Sequence, residues 1–284
     1  MSKSKELDQF YTNPEYAKTF YDHICQQVNI VDYDIVLEPS AGTGNFYNLF
    51  DPSRRIGLDL EPKAAGIIKT DFFDWTPPPN KTIITIGNPP FGKNASLAVK
   101  FFNHCATYSD YICFVIPRTF RKASLINRLD KQFHLISDIE TPPNSFIFNG
   151  KPYDVWCCAQ IWKREELIRP RIEIKTMDMF TNWFERVTPE EADFCIQRVG
   201  GGAGTIREQD ITKFSSQSHY FIKSHHKDVL DIFKGCDFDS VKYNTASNPS
   251  VSPGELCDLW EQEAKKYGIE ITDADEEVFN SFFV

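Results

Sequence analysis

An α/β fold is predicted for this 284-residue chain: an open sheet of buried strands, with a smaller α+β region appended on the carboxyl side. Three observations predict it. Apolar runs begin at Ile35, Arg55, Ile67, Ile83 and Tyr111, and Tyr111–Pro117 is unbroken, as in a strand covered on both faces. Most of these runs end in a side chain able to hydrogen-bond, namely Glu38, Asp59, Asp71 and Asn88, and the carboxyl ends of strands are where open α/β sheets bind ligands. Between the last two runs, residues 95–108 read as a helix, with Leu97, Val99, Phe101, Phe102 and Cys105 as its apolar stripe.

The elements follow in order. Ile35-Val36-Leu37-Glu38-Pro39-Ser40-Ala41-Gly42-Thr43-Gly44-Asn45-Phe46 is a strand entering a small-residue turn and then a helix. Its glycines let backbone N–H groups approach a ligand, although the turn is not a full GxGxxG. The Arg55 strand ends in Asp59, fifteen residues beyond Gly44, where a carboxylate can accept from both hydroxyls of a ribose. The Ile67 strand ends in Asp71-Phe72, an acceptor for an adenine amino group beside a ring that can pack on the base.

The Ile83–Gly87 strand delivers Asn88-Pro89-Pro90-Phe91. This tetrapeptide suits a planar nitrogen with two hydrogens to donate. The Asn88 side-chain oxygen and the Pro89 carbonyl can each accept one, which favours the pyramidal amine whose lone pair is free to attack. Proline has no N–H, holds a fixed φ and keeps the preceding residue extended, so the acceptors stay rigid. Phe91 offers a face on which a base can stack.

In this order, the motifs resemble those of the gamma-class N6-adenine DNA methyltransferases, over residues 8–164. The resemblance implies a Rossmann-like class I methyltransferase sheet and S-adenosylmethionine as cofactor. The segment from Asp8 to Glu15, with Tyr11 and Thr12, resembles the family's amino-terminal cofactor motif. Glu38, Ser40, Gly42 and Gly44 resemble its cofactor loop, Asp59 its ribose acid, Asp71 and Phe72 its adenine pair, and Asn88 to Phe91 its catalytic motif. Two departures stand out: Thr12-Asn13-Pro14 where the family more often has Thr-Pro, and Phe91 where it often has Tyr.

Beyond the motifs, Arg118, Arg121 and Lys122 follow the Tyr111–Pro117 strand on the ligand edge of the sheet and are expected to contact backbone phosphates. Residues 144–162 read as a loop, a turn at Asn149-Gly150 and a closing strand. The resemblance places on that loop an aromatic that stacks on the flipped base opposite Phe91; Phe148 fits first and Phe146 second.

The catalytic domain is expected to span 1–165 and a substrate-recognition region 166–284. In the latter, residues 192–207 read as two strands around a glycine-rich loop flanked by Arg198 and Arg207, a second place for a sugar–phosphate backbone. Ser252-Pro253 reads as a helix N-cap and first residue.

The net charge of −9 is unusual for a protein that grips nucleic acid, but residues 1–165 hold 18 basic and 18 acidic side chains, so the excess lies downstream, much of it beyond Glu255. No leader or membrane-spanning run is seen, and the expected setting is intracellular, nuclear or cytoplasmic. The eight cysteines show no CxxC spacing, so reduced thiols are expected, and no metal-ligand set is evident. The function implied is site-specific N6-adenine methylation of double-stranded DNA with base flipping. An RNA adenine methyltransferase, a protein glutamine methyltransferase and a non-catalytic nucleic-acid-binding subunit are the alternatives, and oligomeric state is not encoded in these motifs.

Overall fold

The computed structural model describes residues 10–269. Asp8 and Gln9 of the amino-terminal motif, and the acidic positions Glu270, Asp273, Asp275, Glu276 and Glu277, lie outside them. The chain divides into two compact units after Ile172, a few residues beyond the boundary expected at 165. The intervening stretch is tied to the first unit. The Arg169 guanidinium, 9 % exposed, donates to the carbonyls of Ile126, Leu129 and Phe133 at 2.5, 2.9 and 3.1 Å. Ile172 N–H donates to Asn127 Oδ1 at 2.9 Å.

The first unit contains, in chain order, β1 (Tyr11–Thr12), α1 (Pro14–Gln27), β2 (Ile35–Glu38), β3 (Arg55–Asp59), β4 (Ile68–Lys69), β5 (Ile83–Gly87), α2 (Ser96–Cys105), β6 (Tyr111–Pro117), α3 (Ala123–Ile126), β7 (Phe133–Glu140), β8 (Phe146–Phe148), β9 (Lys151–Tyr153) and β10 (Cys157–Arg164). Seven of these strands make one sheet in the order β4-β3-β2-β5-β6-β10-β7. The strands from β4 to β6 are parallel, and β10 runs antiparallel to both neighbours. The chain leaves β2 toward one edge and returns beside it as β5, so the direction of winding reverses between these two strands. A crevice for ligands opens at their carboxyl ends for that reason.

Each face of the sheet is covered by one principal helix. Ile35, Leu37, Ile112, Phe114 and Ile116 pack with Val99, Phe101, Phe102 and Cys105 of α2. The alternate residues Val36, Ile84, Ile86, Cys113 and Val115 pack with Tyr16, Ala17, Phe20 and Ile24 of α1. Alternation of side chains along each strand makes this double coverage possible, and the near-continuous apolar runs require it.

Three local features differ from the sequence reading. The departure at Thr12-Asn13-Pro14 is a helix start: Asn13 Oδ1 accepts Glu15 N–H at 2.9 Å and Pro14 occupies the first turn of α1. The helix expected after Gly44 is absent. Only a 3₁₀ turn over Tyr47–Leu49 forms, because Asp51-Pro52 follows closely and proline cannot donate to a continuing helix. A second, small sheet joins β1, β8 and β9, with Tyr11 opposite Ile147 and Thr12 opposite Phe146. The segment expected as a loop before Asn149-Gly150 is therefore a hairpin strand, and both turn residues have positive φ, 51° and 74°.

The second unit contains β11 (Phe184–Arg186), β12 (Phe194–Gln197), β13 (Ile206–Arg207), β14 (His219–Ser224), α4 (Val229–Gly235), α5 (Asp239–Lys242) and α6 (Pro253–Ala264). Its antiparallel sheet has the order β11-β14-β12-β13. Phe184, Phe194, Ile196, Tyr220 and Ile222 pack against Ile232, Phe233 and Trp260. Helix α6 opens on a capping box in which Ser252 and Glu255 satisfy one another's backbone N–H groups. All eight cysteines of the chain are free thiols. Among the described residues no helix is long and apolar enough to cross a membrane.

Candidate functional site

A cavity of about 290 Å³ lies at the carboxyl ends of the first unit's parallel strands. The strand order brings to it Tyr11, Ser40, Gly42, Asp59, Asp71, Phe72, Asn88 and Pro90, residues separated by up to 79 positions along the chain. The turn after β2 is held from three sides. Ala41 N–H donates to Leu58 O at 2.8 Å, Lys63 N–H donates to Gly42 O at 2.9 Å, and Gly42 N–H donates to Asp59 Oδ2 at 2.7 Å. Gly42 is required here twice over: its φ is +48°, and a Cβ on it would sit 2.6 Å from a Tyr11 ring carbon.

Asp59 is thus both a lining residue and part of the turn. Its Oδ1 also accepts Glu61 N–H, at 2.7 Å. A carboxylate oxygen has two acceptor positions, so one on each oxygen remains for a pair of hydroxyls. Tyr11 stands next to it. Burial, with Asp59 and Glu61 nearby, pushes the Tyr11 phenol up, so it stays a hydrogen-bond donor.

The opposite wall is apolar. Phe72 is 3 % exposed and stacks on Phe101 with ring centroids 4.8 Å apart. Phe73, Leu97 and Phe101 complete this wall, and the half-exposed Phe73 is a lining residue absent from the sequence reading. Asp71 Oδ1 caps the short turn by accepting Phe73 N–H at 2.9 Å. An acid beside stacked rings can hold a heterocycle with an amino group.

Asn88 carries the most informative hydrogen bonds. Its Nδ2 donates to Phe10 O at 2.8 Å, and a carbonyl can only accept, so the amide orientation is set. Its Oδ1 is buried and has no partner among the described residues. A buried acceptor left empty is costly, by about 1–3 kcal/mol, and such groups call for an explanation in terms of a missing donor. Ser40 Oγ donates to Asn88 O at 3.1 Å and steadies the same loop.

The aromatic assignments need correction. Phe91 does not present an open face: it is 8 % exposed, packs into the core beside Tyr16 and Phe20, and has the Phe10 ring stacked on it at 6.5 Å. Phe146 is 1 % exposed and belongs to the same core, so it is not a base-facing residue. Phe148 is half-buried and lies 5.2 Å from Phe10. The sequence reading passed over Phe10 and Tyr153, which stack on each other at 5.2 Å. The density of aromatics around Tyr11 and the Asn149-Gly150 turn was their only signal.

Other expected cofactor residues support the site without lining it. Thr12 is buried in β1, and its carbonyl accepts from Asn45 Nδ2 at 2.7 Å. Gly44 turns the loop with φ +78°; Pro89, expected among the catalytic residues and not the cofactor residues, is buried. Glu38 is 3 % exposed, and its Oε2 accepts Tyr47 N–H at 2.7 Å. Burial raises the Glu38 carboxyl well above its usual value; the Tyr47 N–H opposes this and Asp59 adds to it. A carboxyl with a raised folded-state pKa stabilises the fold fully below its unfolded value and loses that contribution as pH rises. Glu38→Gln should therefore gain stability relative to wild type as pH is raised from about 5 to about 8. A Tm difference that is constant over this range would show the carboxyl to be ionised throughout.

The expected phosphate track of Arg118 and Arg121 is also corrected. Arg121 grips Asp138 with bonds of 2.5–3.1 Å and reaches Glu140 at 3.1 Å. Arg118 pairs with Glu140 at 3.2 Å. Asp138 continues to Gln160 at 2.8 Å and on to the Trp162 indole. Both charges are consumed within the β7–β10 edge of the sheet. Lys122 opens α3, and none of the three lines the cavity. Arg121→Glu should cost about 1.5–3 kcal/mol of stability, the scale of a lost charged hydrogen bond, with little change in the salt dependence of nucleic-acid binding. A flattened salt slope in a variant of unchanged Tm would restore the phosphate role. In the second unit, Arg198 donates to Gln217 O at 2.9 Å, and Arg207 lies over the Phe214 ring at 5.0 Å. Neither is within ion-pair distance of a carboxylate among the described residues.

The first unit is thus an α/β protein of the doubly wound kind, with a ligand crevice at the point where its winding reverses. No family model matches the chain, and no curated protein is similar to it. Solved structures that resemble it in part include the following two. One is a protein of Pyrococcus horikoshii crystallised as a candidate RNA methyltransferase, PH1948, with 16 % identity, covering 56 % of this chain and 87 % of that one, and a TM-score of 0.44. The other is the 23S rRNA methyltransferase ErmE, with 15 % identity, 49 % of this chain and 64 % of that one, and a TM-score of 0.34.

Proposed function

We propose that this protein transfers a methyl group from S-adenosylmethionine to the N6 amine of adenine in nucleic acid. The observation that carries the proposal is the Asn88 side chain, whose Nδ2 is tied to Phe10 O while Oδ1 is buried, unpartnered and beside the cavity. An amine with two hydrogens is the donor this arrangement lacks.

The residues present suit the cofactor. Asp59 would take the ribose hydroxyls, Asp71 and the Phe72, Phe73 and Phe101 wall the adenine, and Tyr11 the approach over Gly42. Bound there, S-adenosylmethionine would supply an electrophilic methyl group. The protein's part is positioning. Asn88 Oδ1 and the Pro89 carbonyl accept the two amine hydrogens, which localises the lone pair on nitrogen and points it at the methyl carbon. In the transfer the nitrogen would gain the methyl as the sulfonium C–S bond breaks and S-adenosylhomocysteine leaves, and both oxygens would stabilise the positive charge that grows on nitrogen. The methylated amine is then acidic enough to lose a proton to water, so no strong base is needed. A target inside a duplex must be flipped out to reach this geometry.

Duplex DNA is the substrate implied by the sequence resemblance. The internal pairing of Arg118 and Arg121 removes two of its expected phosphate contacts. The two partly similar structures bear the names of RNA methyltransferases, so adenine in RNA stands as the second reading. The test is incubation with radiolabelled S-adenosylmethionine and parallel DNA, RNA and protein substrates, followed by nucleoside analysis. Label in N6-methyladenine is expected, and the nucleic acid that carries it decides between the readings. Label confined to a protein amide, or none in any substrate, would overturn the proposal.

A further inference from the structure

Phe10 occupies the middle of three nearly parallel rings. Its ring lies at 23° to Phe91 and 16° to Tyr153, and Phe148 closes the side at 5.2 Å. The same residue receives Asn88 Nδ2 on its carbonyl and lines the cavity. A flat ring is therefore already stacked where a base lying on this face of Phe91 would have to be.

We propose that the Phe10 side chain is a displaceable placeholder for the target base, and that Tyr153 forms the wall of the slot opposite Phe91. This rests on the adenine-methylation reading above. Three observations support it. First, the Phe10 backbone is anchored independently of its ring: the next residue, Tyr11, pairs with Ile147, Asn13 N–H donates to Ser145 O at 2.8 Å, and the Phe10 carbonyl is held by Asn88. The ring can leave by rotation about its side-chain torsions while the carbonyl keeps the Asn88 amide in register. Second, Phe10 is only half-buried whereas Phe91 is 8 % exposed. An empty slot would open the apolar Phe91 face to water, and the Phe10 ring covers that face until a base replaces it. Third, Tyr153 is 42 % exposed and sits in β9 at the mouth of the hairpin. A side chain in that place can meet an entering base without rearranging the core.

The exchange is of one stacked ring for another, so the base must compete with an intramolecular ligand. Removing that ligand should strengthen productive binding. Phe10→Ala should lower the KM for nucleic acid by about three- to tenfold, the equivalent of one aromatic stack. Tyr153→Ala should raise the same KM. A direct readout comes from para-cyanophenylalanine at position 10, whose nitrile band reports water contact. The probes are random-sequence single-stranded DNA and RNA pools, with adenine-free pools as controls. The nitrile should shift toward its hydrated frequency with the adenine-containing pool that is methylated, and stay fixed with the adenine-free pool. A fixed nitrile in protein that does methylate adenine would overturn the placeholder and leave the proposed activity standing. A KM that rises in Phe10→Ala would overturn it likewise. Absence of methyl transfer to every adenine-containing pool would overturn the activity itself and the placeholder with it.

Discussion

Asn88→Ala lowers turnover by about 10²–10³-fold, the usual consequence of removing one preorganised hydrogen bond that strengthens in the transition state, while S-adenosylmethionine binds with near wild-type affinity. The expectation follows from where the two ends of this amide point. Oδ1 has no partner among the described residues, so its deletion costs none of their internal bonds. Nδ2 does have one, Phe10 O at 2.8 Å, and its loss frees the residue that lies over Phe91. The loop itself stays supported, since Ser40 Oγ bonds to the main-chain carbonyl of residue 88 and not to its side chain. Single-turnover kinetics and calorimetric titration of the cofactor measure the two effects separately. A parallel fall in turnover and cofactor affinity would show that the substitution had collapsed the loop, and an unchanged turnover would place the amine elsewhere.

Asp59→Ala should weaken S-adenosylmethionine binding by about 1.5–3 kcal/mol, the scale of hydrogen bonds to a charged group. The structure adds a second source of loss, because Asp59 also holds the turn after β2 through Gly42 N–H and the start of the next loop through Glu61 N–H. Asp59→Asn separates the two. It retains one acceptor oxygen, enough for one of those backbone bonds, but cannot accept on both sides of a ribose. A loss in Asp59→Asn close to that in Asp59→Ala, with Tm unchanged, would assign the effect to the ribose. Calorimetry showing wild-type affinity in folded Asp59→Ala would move the ribose contact to another residue.

The strands of the first unit were legible because their information is local. Ile83–Gly87 and Tyr111–Pro117 are apolar runs whose composition permits little besides a doubly covered strand, and both appear with those bounds. The helix read over 95–108 is present as Ser96–Cys105, with Val99, Phe101, Phe102 and Cys105 of the expected stripe buried and Leu97 partly so. Helix α1 was missed although its signal, Asn13 before Pro14, is also local; it had been read as part of a motif.

What the sequence by itself determined is the chain order of strands, and with it which residues stand at strand ends: Glu38, Asp59, Asp71 and Asn88. In a parallel sheet these ends share one edge, so strand assignment nearly suffices to gather them. What only the tertiary structure decided is which partner each side chain meets. Phe146 is an aromatic residue of the kind a base would stack on, yet it is in the core, and the Phe91 ring is covered by Phe10, which stacks in turn on Tyr153. Arg118 and Arg121 follow a strand as phosphate-binding cations would, yet carboxylates on β7 neutralise them. Asn88 meets a carbonyl 78 residues away. Strand formation responds to periodicity over a few residues, whereas stacking, ion pairing and the facing of an amide depend on what other segments bring into contact, and no local pattern encodes that.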